Sequence, residues 1–294
     1  MNAFRELLAA ARVTHVPGVQ DPLSATLAVR AGHRAVYLSR AALAAVMMGR
    51  PDVDYVPATQ IADRAATLMP ALGGVPLLAD TGSGFETPQD AVWSALAYQR
   101  AGISALILAD QDAGHLLELA RQAPEVAVIA RTNAYGDGGL TATIERCRAY
   151  ADAGADAVLP AGVHTAVELA RLRDALPGVP LVLSRSEAGG AAPALPDPEL
   201  AALGVRLVLH PLAALLAAVR AAAQAYRAIA DDGTAESVDR MPWAAVTALA
   251  EPEYPHRTVS SVHDRLTGDA ERAMWQGRAP GNADLARRGA GGGS

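Results

Sequence analysis

Residues 101–160, AGISALILADQDAGHLLELARQAPEVAVIARTNAYGDGGLTATIERCRAYADAGADAVLP, decide the fold. Three short, nearly continuous apolar runs stand out: Ala105–Asp110, Val126–Thr132 and Ala157–Pro160. Between them, apolar residues recur every three or four positions. Such runs predict parallel strands covered on both faces, and the intervening periodicity predicts the helices that cover them. In the second of these helices Ile144, Cys147 and Ala151 share the apolar side. The Ala153-Gly154 pair that closes it places glycine where a left-handed C-terminal cap belongs.

The same unit repeats outward in both directions. Upstream lie Val13–Val16, Ala35–Ser39 and Val75–Asp80; downstream lie Pro180–Ser186 and Arg206–His210. Ala31-Gly32, Ala101-Gly102 and Leu203-Gly204 close helices just as Ala153-Gly154 does, and Leu169, Leu172 and Leu176 line one face of the sixth helix. Eight strand–helix units in this length predict a (β/α)8 TIM barrel over residues 1–235, since barrels of about 250 residues form one domain. An open doubly wound sheet would want a glycine-rich nucleotide turn after the first strand, and none follows it. Residues 236–277 read as a C-terminal helical extension, with ESVDRMPWAAVTALAE as a helix and EYPHRTVSSVHDRLTG as a turn and a short helix. The glycine-rich end, residues 278–294, reads as a disordered tail.

Composition removes several function classes. The net charge of −6, with no basic stripe, argues against nucleic acid. The amino-terminal MNAFRELLAAARV carries Glu6 and lacks the apolar core of a signal peptide, and the apolar run Leu212–Ala223 is too short and holds Arg220. No membrane partner and a cytoplasmic location are expected. All 25 basic residues are arginine. Without lysine there is no Schiff base, no pyridoxal phosphate (PLP) anchor and no P-loop nucleotide site. Cys147 is the only cysteine and sits on an apolar helix face, which predicts a buried structural thiol rather than a nucleophile.

In a barrel of this kind, chemistry belongs to the carboxyl ends of the strands. Those ends form a polar ring: Ser39 and Arg40, Asp80 and Thr81, Asp110 and Gln111, Arg131 and Asn133, Ser184, Arg185, Ser186 and Glu187, and His210. Converging arginines suit a small anionic substrate, because the planar guanidinium fork matches a carboxylate or phosphate. The bland alternative is a ring of rim ion pairs. His115, in the first turn of a helix, is an acid–base candidate; His15, His33, His164, His256 and His263 show no metal-ligand spacing and read as structural.

PGVQDPLSATLAVRAGHRAVYLS (17–39), PLLADTGSGF (76–85), VIARTNA (128–134), GLTATIERCRAYADAGADAVLP (139–160) and VPLVLSRSEAGG (179–190) occur here in order. Together they resemble the isocitrate lyase/phosphoenolpyruvate mutase superfamily, including its methylisocitrate lyase-like and oxaloacetate decarboxylase-like members. The resemblance runs from about Val13 to near Leu266. It implies an α-oxo or α-hydroxy carboxylate held through Mg2+, with a C–C or C–P bond broken or made through an enolate. Tyr37 and Ser39 match the strand end that holds a substrate carboxylate. Asp80 matches the aspartate that contacts the metal, and Asp52 one in the metal's outer shell. Arg131 matches a substrate-binding arginine, while Ser184, Ser186 and Glu187 match a polar cluster on the seventh strand. His210 falls at a tyrosine-like position.

The departures are as informative. Arg40 stands where the family has glycine, Gly82 where it has a second aspartate, and Ala109 and Ala161 where it has glutamates. The lid carrying K-x-C-G-H is absent, so an ordinary methylisocitrate or isocitrate lyase reaction is not expected. The expectation is a divergent lyase, decarboxylase or hydrolase acting on a small oxo- or hydroxy-carboxylate or a related natural-product intermediate. The alternative is a catalytically lapsed barrel that binds an anionic ligand or a partner protein. For charge stabilisation, two readings stay open: Arg40 replaces the metal, or Asp52 and Asp80 still hold Mg2+ through water. The resemblance also implies a homo-oligomer, dimer or tetramer, that buries part of the region after Ala230.

Overall fold

Each apolar run becomes a strand in the computed structural model, which describes residues 3–51, 56–82, 85–109, 112–189 and 195–250. The strands are β1 (Thr14–Pro17), β2 (Val36–Leu38), β3 (Leu77–Gly82), β4 (Ile103–Ala109), β5 (Ala127–Thr132), β6 (Ala157–Pro160), β7 (Leu181–Ser184) and β8 (Val205–His210). All pair in parallel, in the order β1-β8-β7-β6-β5-β4-β3-β2. A single bridge between Gly18 and Tyr37 closes the ring between β1 and β2. There Gly18 N donates to His210 O at 2.8 Å and Val19 N to Tyr37 O at 2.9 Å. The approach is so tight that a Cβ on Gly18 would lie 2.1 Å from Pro211 O, so only glycine fits the seam.

Side chains alternate across the ring. Val16, Tyr37, Leu78, Ile107, Ile129, Leu159, Val182 and Leu209 fill the barrel interior, closed from below by Phe4, Leu7 and Leu8 of α1 (Ala3–Ala9). Arg5 fastens that plug: its Nε donates to Asp156 Oδ1 at 2.7 Å and its Nη1 to Pro124 O at 2.6 Å, just ahead of β6 and β5. The opposite strand faces pack against α2 (Pro22–Arg30), α3 (Arg40–Met48), α4 (Ala58–Leu72), α5 (Pro88–Arg100), α6 (Ala113–Gln122), α7 (Ala134–Asp152), α8 (Ala166–Ala175) and α9 (Asp197–Ala202). Every large aliphatic side chain so buried contributes about 1.5–3 kcal/mol.

Local signals start and stop these helices. Asp21 with Ser24, Thr87 with Asp90 and Thr165 with Glu168 form reciprocal capping boxes, a device that holds a helix start by about 1 kcal/mol. The four glycines expected at helix ends all take positive φ. Cys147 on α7 is fully buried, and that burial pushes its thiol pKa up to about 12.

Strand ends differ from expectation in two places that matter for the site. Register slips between Asp80 and Gly82, so β3 bulges at Thr81, whose hydroxyl donates to Ile107 O at 2.9 Å. β7 leaves the sheet after Ser184, so Arg185 and Ser186 belong to the following loop.

The described residues divide into two compact units, one ending at Ala218 inside α10 (Ala213–Asp232) and one beginning at Val219. In the second, α11 runs from Trp243 to Ala250, not from Glu236 as its periodicity suggests. Pro242 explains the late start, because it cannot donate to a preceding turn and pushes Met241 out of helical geometry. The segments 253–268 and 278–294, and Asp52, lie outside the described residues. Among the described residues, no helix is long and apolar enough to cross a membrane.

Candidate active site

The inward-facing positions one step above the apolar core form the site. Tyr37, the middle residue of β2, faces into the barrel, Ser39 follows the strand's end at Leu38, Asp80 sits on β3, Arg131 on β5 and Ser184 on β7. Together with Ser186 they line one cavity of 320 Å3, floored by Ile107, Leu159 and Leu209. A cavity of this size accepts a small molecule of metabolite size.

Tyr37 and Asp80 are neighbours on adjacent strands, and the Tyr37 hydroxyl donates to Asp80 Oδ2 at 3.3 Å. Burial first, then the Asp80 charge, raises the Tyr37 pKa well above the usual tyrosine value, while Arg131 opposes the rise. Tyr37 is therefore a proton donor throughout the physiological range. Asp80 Oδ1 accepts from Gly82 N at 2.9 Å, a local turn that fixes the carboxylate over the bulge. The half-buried Arg131 donates from Nη2 to Asn133 Oδ1 at 3.0 Å, so Asn133 steadies the fork from outside the cavity lining.

Ser39 caps α3 by accepting from Ala42 N at 3.5 Å. Ser39 and Ala41 line the cavity, whereas Arg40 between them is buried, with its guanidinium pressed against Gly82. Gly82 has φ +75°, and a Cβ there would stand 1.6 Å from Arg40 Nη1. Arg40 and Asp80 both act on Tyr98 of α5, whose pKa burial raises to about 12, with Arg40 pulling it down and Asp80 pushing it up.

Other expected residues fall elsewhere. His210 follows Leu209 on β8 and so points out of the barrel, where its Nε2 lies 3.0 Å from Nδ1 of His15. His15 Nε2 lies 3.1 Å from both oxygens of Asp197. On the other side, His210 Nδ1 is 3.5 Å from Glu187 Oε1, and Glu187 Oε2 accepts from Leu212 N at 2.9 Å. This string of four backs the cavity wall formed by Ser186, Pro211 and Leu212. Burial first, then the His15 charge, lowers the His210 pKa below its usual value despite Glu187. Arg185 Nη2 donates to Leu195 O at 3.1 Å. His115 sits in the first turn of α6, and its two ring nitrogens are buried without a hydrogen-bond partner among the described residues.

Sequence reasoning read His164 as structural, yet it lines the cavity from the loop after β6. The usable signal was its place four residues beyond a strand end at the catalytic rim. The resemblance implies Mg2+, and among the described residues no three His, Cys, Asp or Glu side chains gather as a metal ligand set. Of the described carboxylates, Asp80 alone lines the cavity, and the volume beside Gly82 is taken by a cation.

The phosphoenolpyruvate phosphomutase family matches residues 4–230. A 2-methylisocitrate lyase of Bacillus subtilis (strain 168) is 33% identical over 250 residues, covering 79% of this chain and 82% of the relative. A 2,3-dimethylmalate lyase of Eubacterium barkeri is 29% identical over 256 residues, covering 80% of this chain and 88% of the relative. Among solved structures, an oxaloacetate acetylhydrolase in complex with the product oxalate superposes with a TM-score of 0.77 at 25% identity, covering 92% of this chain and 97% of that one. With the parallel barrel and the polar ring at its carboxyl end, these matches show that the chain belongs to the phosphoenolpyruvate phosphomutase family, within the isocitrate lyase superfamily.

Proposed function

We propose that the chain is a carbon–carbon lyase, decarboxylase or hydrolase of a small oxo- or hydroxy-carboxylate or a related natural-product intermediate, and that the reaction takes place in the 320 Å3 cavity. That it is an enzyme with lyase-like chemistry follows from its family, so the lapsed-barrel alternative is not favoured. One observation carries the assignment of the site. Tyr37, Ser39, Asp80, Arg131, Ser184 and Ser186, from four strand ends, converge on a single cavity.

In this reading the Arg131 fork binds one substrate carboxylate in two-point contact, and the serine hydroxyls take the remaining oxygens. For a hydroxy-acid, Asp80 accepts the hydroxyl proton. The adjacent C–C bond then breaks, and its electron pair passes to the departing fragment as an enolate. Positive charge and the Tyr37 O–H stabilise the negative oxygen that develops. Protonation of the enolate carbon completes the product.

We further infer that the enzyme is a cytoplasmic homo-oligomer, a dimer or tetramer, with no nucleic-acid partner. Leu216, Val219, Tyr226 and Ile229 share one face of α10 by their spacing and are exposed, which supports assembly through that helix.

The test is turnover, followed by NMR, against methylisocitrate, dimethylmalate, oxaloacetate and related small di- and tricarboxylates. Cleavage of at least one, abolished in Arg131→Ala, is expected. Failure of every compound to bind or react would sink the proposal.

A further inference from the structure

We propose that the Arg40 guanidinium, locked against Gly82, is the resident cation of this site, so that carboxylate binding here does not depend on a divalent metal. The inference rests on the functional reading above and specifies how the site supplies its positive charge.

Shape supports it first. Arg40 opens α3 and is only 8% exposed, although a guanidinium stays charged at every accessible pH. It can reach its position only because residue 82 has no side chain: a Cβ there would lie 1.6 Å from Nη1 and 2.2 Å from the guanidinium carbon. Arg40 and Gly82 therefore form a matched pair in which the arginine fills the volume a side chain at 82 would take.

Charge supports it second. Asp80 is held by Gly82 N and Tyr37, and Tyr98 senses Arg40 and Asp80 together, so both charges belong to one neighbourhood around β3. A divalent ion wants several oxygen ligands, and a fixed cation beside them weakens its binding. Among the described residues, the lining offers one carboxylate and no three-ligand cluster. Arg131 lines the cavity itself, and Arg40 adds a second guanidinium behind the lining, between Ser39 and Ala41. Arg40 itself does not line the cavity; it acts through Asp80 and the start of α3, as a positioning residue.

Oxalate, a planar dicarboxylate that mimics an enolate, is the probe, and Mn2+ observed by electron paramagnetic resonance reports metal. For the wild-type protein, calorimetric oxalate affinity should be the same in excess chelator and in Mg2+, and Mn2+ should remain free in solution. Arg40→Met, which keeps the bulk and removes the charge, should weaken oxalate about tenfold or more, while Arg40→Lys should recover part of the loss. One tightly bound Mn2+ in the wild-type protein, with oxalate binding only in its presence, overturns the inference and leaves the functional reading intact. Indifference of a folded Arg40→Met protein overturns it as well. Should that variant not fold, the wild-type measurements decide alone. No oxalate binding under any condition removes the carboxylate reading, and the inference with it.

Discussion

Tyr37 and Asp80, side by side on β2 and β3, make a direct hydrogen bond of 3.3 Å between a phenol and a carboxylate inside the barrel. A hydrogen bond to a charged group contributes about 1.5–3 kcal/mol. Tyr37→Phe is therefore expected to lower kcat/KM by about tenfold or more through loss of that donor. The thermal midpoint should fall by only about a few degrees, because the bond is lost while the ring and its packing remain. A large loss of stability with normal turnover per folded molecule would assign Tyr37 to packing alone.

Arg131 is expected to show itself in substrate binding. Arg131→Ala should cut kcat/KM by about a hundredfold, and Arg131→Lys should recover only part, since a lysine lacks the planar fork. Asn133→Ala should raise KM more gently, because Asn133 only steadies the fork from Oδ1. Steady-state kinetics of the three variants on one substrate check the order.

His210 gives the fold a pH limit. Its burial and the neighbouring His15 lower its pKa below the ordinary value of 6.5, so the unfolded chain takes up the proton more readily than the native one. Stability is then present above 6.5 and is lost as pH falls through the lower native value. The groups facing it are His15, Glu187 and Arg185, with Asp197 behind His15. Urea midpoints measured downward from neutral pH should decline, and His210→Gln should flatten the decline. An unchanged slope in that variant would locate the limit elsewhere.

Cys147 should matter to the fold and not to the chemistry. Placing an unpartnered hydroxyl at a fully buried site costs about 1–3 kcal/mol, so Cys147→Ser should lower stability by that much. Turnover per folded molecule should be unaffected. Loss of activity in a well-folded variant would contradict the buried-thiol reading.

Assembly is testable through α10. Tyr226 is 73% exposed and Ile229 50% exposed, on a face that an isolated chain would leave wet. Sedimentation at micromolar concentration should show a dimer or tetramer, and Tyr226→Glu with Ile229→Asp should shift it toward monomer. A wild-type monomer across that range would refute assembly.

The barrel was legible in the sequence because each strand is a short apolar run and four of the helices end on glycine, signals that survive without tertiary context. The polar lining of the cavity was legible for the same reason, His164 apart. Once strand ends are placed, alternation alone points Ser39, Asp80, Arg131 and Ser184 inward. What sequence could not show were relationships across the ring. His210 points outward by its parity on β8, and its pairing with His15 depends on β1 lying beside β8. Arg40 could be recognised as a displaced glycine, but the matching vacancy at Gly82 emerges only when α3 and β3 are packed together. His164 stood in a loop that periodicity does not read.

The closure of the ring carries one more consequence. Six of the strand contacts are ladders of three or more residue pairs, whereas β6 and β7 are registered at one pair, Val158 with Leu181, and β1 and β2 meet only at the bridge between Gly18 and Tyr37. Local opening of a native protein begins where fewest backbone bonds must break. One such line runs along β2, the strand leading directly into Ser39 and Arg40. Parting at that seam would loosen the rim at Ser39 and Arg40 while the eight strands stay paired in one arc from β2 round to β1.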